Sequence, residues 1–540
     1  MQTARLGAIG MLLLCAGCAG APPAEPYPLT PEMTLLERDA SSPEFRGSLE
    51  KFHFNDLHNE WQRAFDADGP DEFLKAHGGL EKVAAHPDAS AAYERRRKAA
   101  DLFLDALRAE YARRKLKPPF DEGARVETDK LKAFVRADDT LEIVPILPAP
   151  GAEKEWSRWR GPDGQGVSLE TGVPAEWRWA PEGSKSILWR TAIPGEGNSS
   201  PILWGDRIFL TSAFDSGHRR SLVCVQRSDG RLLFVKEAPE VPPEGRVMAK
   251  NGWASATPVA DGERVYCFFG NTGLVAFDFE GNVLWHRPLA PFDAMHGTGA
   301  SPAVAGDLVI LLQEQSSKPS VGVAVDKKTG EVRWQVERAP ALGWCTPLPL
   351  RINGREQLVY GSTSSLGAID LRTGREIWRC AGPTIEVVPT PVYGHGLVYC
   401  SSGRNGPTIA VRPDGEGDVT SSKLAWRVVR GAPHVPSPIV LNGLLLQVND
   451  TGVLSCIDAR TGETVYQKRL EGRYSASPVA AEGRVYFTNE DGETFAVRAS
   501  REHELVATSS VGEPVLASPA IHGGRIFIRG RQHLFAIGER

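Results

Sequence analysis

The sequence predicts an all-β protein: an eight-bladed β-propeller of four-stranded antiparallel blades, preceded by a small α-helical region. Three observations carry this expectation. A Ser/Thr-Pro pair recurs eight times at intervals of 40 to 57 residues. Each interval repeats one internal order of short β-rich runs, an Asp-bearing turn and an aromatic residue. The last interval stops short, and an unmatched β run ahead of the first supplies what it lacks.

The pairs are Ser200-Pro201, Thr257-Pro258, Ser301-Pro302, Thr346-Pro347, Thr390-Pro391, Ser437-Pro438, Ser477-Pro478 and Ser518-Pro519. After each come small apolar residues, a Gly- or Asp-bearing turn, and a β-rich run such as Arg264–Phe268 or Gly483–Phe487. A second run ends in Asp, as at Asp326, Asp370 and Asp458, and leads into Thr329-Gly330, Thr373-Gly374 and Thr461-Gly462. There the Asp is expected to cap backbone N–H groups and the Gly to take positive φ. An aromatic closes the unit: Phe234, Trp285, Trp334, Trp378, Trp426 or Tyr466. Short runs with turns between them, about four per 40–50 residues, are the pattern of a propeller blade.

The final unit ends soon after Leu534–Ile537, without an outer strand of its own. Residues Ile187–Arg190 have the shape of one, so both chain ends are expected to complete blade eight and leave no large open edge. The same register places Cys224 and Cys456 in the slot held elsewhere by Ala276, Ala324, Ala368, Ala410, Ala496 and Ala536. Cys267 and Cys400 share a second-strand slot in different blades. Cys345 begins and Cys380 follows the strands at opposite edges of one blade, about 14 Å apart at about 4.8 Å per strand. A disulfide needs Cα atoms within about 7 Å, so none is expected among these six.

Composition fits this picture. Gly (55) and Pro (40) in 540 residues exceed the usual shares of about 7 % and 5 %, as many turns require. A net charge of −5 supplies no global basic field for nucleic acid. Residues 1–18 read as an export signal: Arg5, an apolar run too short to span a bilayer, then Leu14-Cys15-Ala16-Gly17-Cys18. Small residues before Cys18 resemble a bacterial lipobox, with Cys18 the lipid attachment site. Residues 19–30 are a Pro-rich tether, and the absence of Asp after Cys18 favours the outer membrane. Residues 31–150 form a helical region and linker, with Phe54, Leu57, Trp61 and Phe65 on one helix face and a second helix from about Ser90 to Arg114. Residues 145–151 are read as the linker itself, and 151–540 as the propeller.

The blade strings, Ala368–Trp378 and its sister copies, resemble the bacterial pyrroloquinoline-quinone-like (PQQ-like) β-propeller repeats over about residues 156–540. Trp159-Arg160-Gly161-Pro162 and Gly205–Leu210 match that family too. The resemblance implies the propeller fold. Its superfamily joins quinoprotein alcohol dehydrogenases to non-enzymatic lipoproteins such as BamB, the propeller subunit of the outer-membrane barrel-assembly machinery. The dehydrogenases carry adjacent cysteines over a quinone held through Ca²⁺. This chain has no adjacent cysteines and no C-x-x-C-H haem site.

Other catalytic motifs are absent: no H-E-x-x-H, P-loop, G-x-S-x-G or Rossmann fingerprint. Unlike polar and aromatic residues do stand just ahead of the inner strands: Asn198, Trp253, His296, Trp344, Glu386, His434 and Tyr474. Such segments converge on one mouth of a propeller channel, making these the candidate binding residues. No catalytic residue is assigned, and no metal ligand either, since His296 and His434 lie three blades apart and are not expected to bind a metal together.

The expected function is that of a lipid-anchored, periplasm-facing outer-membrane propeller, a non-catalytic scaffold that needs no cofactor. Its partner would be an envelope or outer-membrane protein or an extended peptide, with no nucleic acid, and outer-membrane protein assembly is one version. The alternative is a periplasmic dehydrogenase of alcohols or sugars using PQQ with calcium. A third is a propeller enzyme with Glu386 or the histidines as acid and base. A deeply buried channel carboxylate favours an enzyme, and a wide, water-filled channel favours the scaffold.

Overall fold

Alternation of apolar residues in runs of three to eight, punctuated by glycine turns, gives each repeat four short strands rather than helices. The computed structural model describes residues 136–539 except 244–246, 249, 290, 293, 295, 317 and 404–405, together with isolated helical positions Ala109, Ala112 and Arg113. The signal, Cys18, the tether and the helix over 54–65 lie outside the described residues, as does most of the helix expected over 90–114.

Among the described residues the strands form eight antiparallel blades. Blade 1 comprises Ile202–Trp204, Arg207–Phe214, Arg219–Gln226 and Leu232–Glu237. Blades 2 to 7 begin at Val259, Ala303, Leu348, Val392, Ile439 and Val479, and blade 8 at Ala520. Blade 8 takes its outer strand from Ile187–Ala192, which pairs with His533–Ile537. The ring thus closes through both ends of the propeller segment, as the sequence implies.

The register pairs the small residue of each third strand with the aromatic of the fourth: Cys224 with Phe234, Ala276 with Trp285, Ala324 with Trp334, and Cys456 with Tyr466. A bulge follows at each of these positions. A small partner leaves the indole free to lean out of its own sheet. Trp334 then reaches blade 4, where its Nε1 donates to the Leu371 carbonyl at 3.0 Å. Trp285 and Trp426 make the same bond to Lys327 and Ala459. The turn glycine lies under the ring: a Cβ on Gly374, at φ +70°, would meet Trp334 at 2.7 Å. Glycine is therefore required there twice over, for backbone conformation and for close approach.

Blade 5 departs from the pattern. Its third and outer strands are joined by residues 412–423 in place of the short turn, and Gly417–Asp418 pairs with the outer strand of blade 4, Glu376–Ala381. With no turn carbonyl to meet, Trp378 donates to Gln357 of its own blade at 2.9 Å.

The Ser/Thr-Pro positions ring the channel. The N–H of Ser200 donates to the Thr257 hydroxyl, Thr257 to Ser301, Ser301 to Thr346 and Thr346 to Thr390. Thr390, Ser437 and Ser477 continue the series. Each blade is tied to the next near the axis by one hydroxyl. The six described cysteines are buried and free.

The segment just ahead of the linker expected over 145–151 joins the ring. Ile143–Pro145 adds to the inner strand of blade 4, pairing Ile143 with Ile352. The inner strand extends past its neighbours and offers an unpaired edge, which a β-branched run satisfies. The chain then crosses the axis. The Trp156 carbonyl accepts from Leu203 of blade 1 at 2.8 Å, Ser157 from Ala260 of blade 2 at 2.8 Å, and Gly166 from Ala480 of blade 7 at 2.7 Å. Gln165 accepts from Tyr393 of blade 5 at 2.9 Å. A Cβ on Gly164 would meet Leu348 of blade 4 at 2.8 Å. Residues 156–168 therefore plug the lower opening of the channel.

Candidate functional site

In an antiparallel blade the connections into inner strands and those between second and third strands share one face. They form the upper mouth of the channel, opposite the plug. A cavity of about 240 Å³ opens there, floored by Trp159 and walled by the hydroxyls of the Ser/Thr ring. The propeller is thus a cup with one mouth.

Five of the seven residues expected at the mouth line this cavity: Asn198, His296, Trp344, Glu386 and His434. The other two stand apart from it. Trp253 packs on Gly217, with Arg220 6.0 Å from its ring centre. Tyr474 is fully buried, its hydroxyl donating to the Glu471 carbonyl at 2.9 Å.

Glu386 is the centre of the site. Its side chain is 6 % exposed, and its Oε2 lies 3.1 Å from His434 Nε2 while Oε1 lies 3.9 Å from His296 Nε2. Three blades of separation do not keep the histidines apart, because segments crowd together near the axis. Local structure aims the carboxylate. Glu386 has φ +62°, a left-handed conformation that a non-glycine residue rarely adopts. The next residue holds it in place: Val387 N–H donates to Leu342 at 3.2 Å and its carbonyl accepts from Trp344 at 2.9 Å. Among the described residues no group of three or more His, Cys, Asp or Glu converges as a metal site.

The histidines are themselves positioned. The His434 N–H donates to Asp450 at 2.7 Å. The His296 ring stacks on Trp344 at 5.6 Å and 21°, and Trp344 Nε1 donates to the Gly297 carbonyl at 2.7 Å. Beneath Trp344, Gly343 leaves room for Glu314, which pairs with Arg338 at 3.1 Å. Burial pushes the Glu314 carboxyl up, and Arg338 opposes this. On the opposite wall Lys250 pairs with Glu490 at 2.5 Å, and Asn198 donates to the Lys250 carbonyl at 2.9 Å.

Sequence reasoning missed Trp159, Met248, Lys250 and Asn251 as lining residues. A signal existed for Trp159, in the Trp-Arg-Gly-Pro string before the first blade. The others lie in the long connection between blades 1 and 2, where the 57-residue spacing was the only hint. Chemically, the cup offers a buried carboxylate between two imidazoles, aromatic faces and hydroxyls. Such a set can seat a polar side chain or small molecule, or exchange a proton.

Comparison with known proteins agrees with the fold. The family described as "Outer membrane protein assembly factor BamB" matches residues 182–296, 292–420 and 416–537, most of the ring. The outer membrane protein assembly factor BamB of Moranella endobia (strain PCIT) is 25 % identical over 415 residues, 72 % of this chain and 92 % of that protein. The crystal structure of BamB from Moraxella catarrhalis superposes with a TM-score of 0.49 at 14 % identity, over 65 % of this chain and 99 % of that one. Quinohemoprotein alcohol dehydrogenase from Comamonas testosteroni gives 0.53 at 11 % identity, over 77 % and 83 %, a likeness of fold alone. With its eight closed blades and a family match across the ring, the chain belongs to the PQQ-like β-propeller family described as outer membrane protein assembly factor BamB.

Proposed function

We propose that the protein is a lipid-anchored, periplasm-facing propeller that binds outer-membrane proteins or their assembly partners at the mouth of its cup, without catalysis. The observation that carries this reading is the relative named as an outer membrane protein assembly factor, aligned over 92 % of its length. The lipobox at Cys18 and the Pro-rich tether support the anchor. The rigid, one-mouthed cup supports binding, since a preformed concave site loses little entropy when a side chain enters.

The cavity lining is a poor match for a Ca²⁺-held quinone. Among the described residues Glu386 is the one carboxylate lining it, and it already faces two histidines; the chain has no adjacent cysteines. The reading is therefore of a protein that works without PQQ.

A photo-crosslinking residue at Lys250, on the mouth, and another at Arg372, on a lower-face turn, test this in the native envelope. Adducts with outer-membrane barrel proteins or assembly subunits are expected from Lys250 and not from Arg372. Adducts from neither, with tight Ca²⁺-dependent PQQ binding by calorimetry, would replace this reading with the dehydrogenase. Cys18→Ser should move the protein from the membrane to the soluble fraction.

One observation favours a second reading. A carboxylate 6 % exposed at the centre of a closed cup has the burial of an acid–base residue. On that reading Glu386 orients His434 for proton transfer to a bound small molecule. A ligand whose turnover is lost in both Glu386→Gln and His434→Gln would establish it. Crosslinking that survives both substitutions would favour the scaffold.

A further inference from the structure

The plug that floors the cup holds more positive charge than its neighbours balance. Arg158 is 5 % exposed and Arg160 1 %. Burial lowers their guanidinium pKa values to about 10 and about 9, so both stay charged at neutral pH. Asp163 is the carboxylate whose charge acts on both, and burial pushes its carboxyl up. The plug therefore carries two cations against at most one anion.

Arg160 is partly satisfied, its Nη2 donating to the carbonyls of Gln165 and Pro438. The Nε and Nη2 of Arg158 are buried and meet no protein acceptor among the described residues. A buried guanidinium in this state is costly unless something accepts its hydrogen bonds.

Arg158 lines a void of about 10 Å³ between the plug and the hydroxyl ring, with Trp159, Gly164, Thr346, Leu348 and Thr390. That volume suits one occupant of about the size of a water molecule and excludes tetrahedral oxyanions. Two side-chain donors remain among the polar groups around it, the Arg158 guanidinium and the Thr346 hydroxyl. The Thr346 hydroxyl accepts from Ser301 N–H at 3.2 Å, leaving its own proton to give. Thr390 turns its proton to the Thr346 carbonyl at 3.2 Å. A small site that joins a buried, under-satisfied cation to a hydroxyl proton selects an anion over water.

We infer that this void binds a single monatomic anion of the chloride type, held by Arg158 and the Thr346 hydroxyl. The anion neutralises the plug and locks the floor of the cup to blades 3 to 5. This goes beyond the proposed function and does not depend on what enters the mouth.

The test uses the folded chain. Crystals grown in sodium bromide should give an anomalous peak in the void beside Arg158. Tm should be higher in sodium chloride than in sodium gluconate at equal ionic strength, by about 2 to 4 °C when the site saturates. Arg158→Met should abolish that difference and Thr346→Val should reduce it. If Arg158→Met does not fold, the wild-type bromide map decides alone. No bromide peak, with equal Tm in both salts, would overturn the inference and assign the void to water.

Discussion

The backbone N–H of Ser518 donates to the Ser200 hydroxyl at 3.0 Å, across 318 residues of sequence. This bond closes the series of eight that begins at Ser200 and passes once through every blade. It joins the last blade to the first at the axis, while Ile187–Ala192 joins them at the rim. The ring is shut at both radii.

Ser200→Ala removes the acceptor and leaves a buried N–H unsatisfied. We expect a loss of about 1–3 kcal/mol, read from urea unfolding. Ser200→Thr should be nearly neutral, because Thr fills the equivalent place at Thr257, Thr346 and Thr390. Equal losses in the two variants would show that the hydroxyl bond is not what matters there.

Gly374→Ala places a Cβ 2.7 Å from the Trp334 ring at a φ of +70°. A loss of about 1–3 kcal/mol is expected. Trp334→Phe forfeits the bond to Leu371, about 1 kcal/mol. Combined, the two changes should cost less than their sum, since the smaller ring makes room for the methyl. Strict additivity in the double-variant cycle would argue against ring–glycine contact.

Asp326 is hydrogen-bonded by Arg333 at 2.6 Å and by the N–H groups of Lys328 and Thr329. The Arg333 bond leads in holding its carboxyl at about 2, below the usual 3.8. The folded value lies below the unfolded one, so the stabilisation is complete above about pH 4 and is lost as pH falls through about 2. The stability difference between wild type and Asp326→Asn should shrink over that window. A constant difference would contradict the pairing.

The propeller cysteines should resist alkylation. Burial raises the thiols of Cys224, Cys345 and Cys380 to about 12 and that of Cys456 to about 11, and lifts Cys267 and Cys400 too. Thiolate at neutral pH is then negligible. Mass spectrometry should find all six unlabelled by a maleimide in the native protein and labelled after unfolding without reductant. An intrachain bridge would break the blade register.

Much of the fold was legible because a propeller is periodic. The small residue at Ala324 and the aromatic at Trp334 stand ten residues apart in sequence and opposite each other in the sheet. Nothing beyond local pairing is needed to see this. The exceptions are places where a neighbour overrides the repeat. Trp378 fills the aromatic slot, yet the insertion at 412–423 takes away the carbonyl it would meet. Ile143–Pro145, which runs up to the linker expected over 145–151, becomes a strand because blade 4 has an edge to fill. Trp253 and Tyr474 share the offset of the cup residues but not their orientation, which irregular connections set through packing.

The sequence by itself determined the number of blades, their register, the closure by the run at Ile187–Arg190 and the recurrence of the Ser/Thr-Pro pairs, since all follow from local pattern repeated in order. Only the tertiary structure decided that Glu386 faces both His434, at 3.1 Å, and His296, at 3.9 Å, and that residues 156–168 plug the channel. These depend on distance from the axis. Near it, segments far apart in sequence come within hydrogen-bond reach, and spacing along the chain carries no record of that radius.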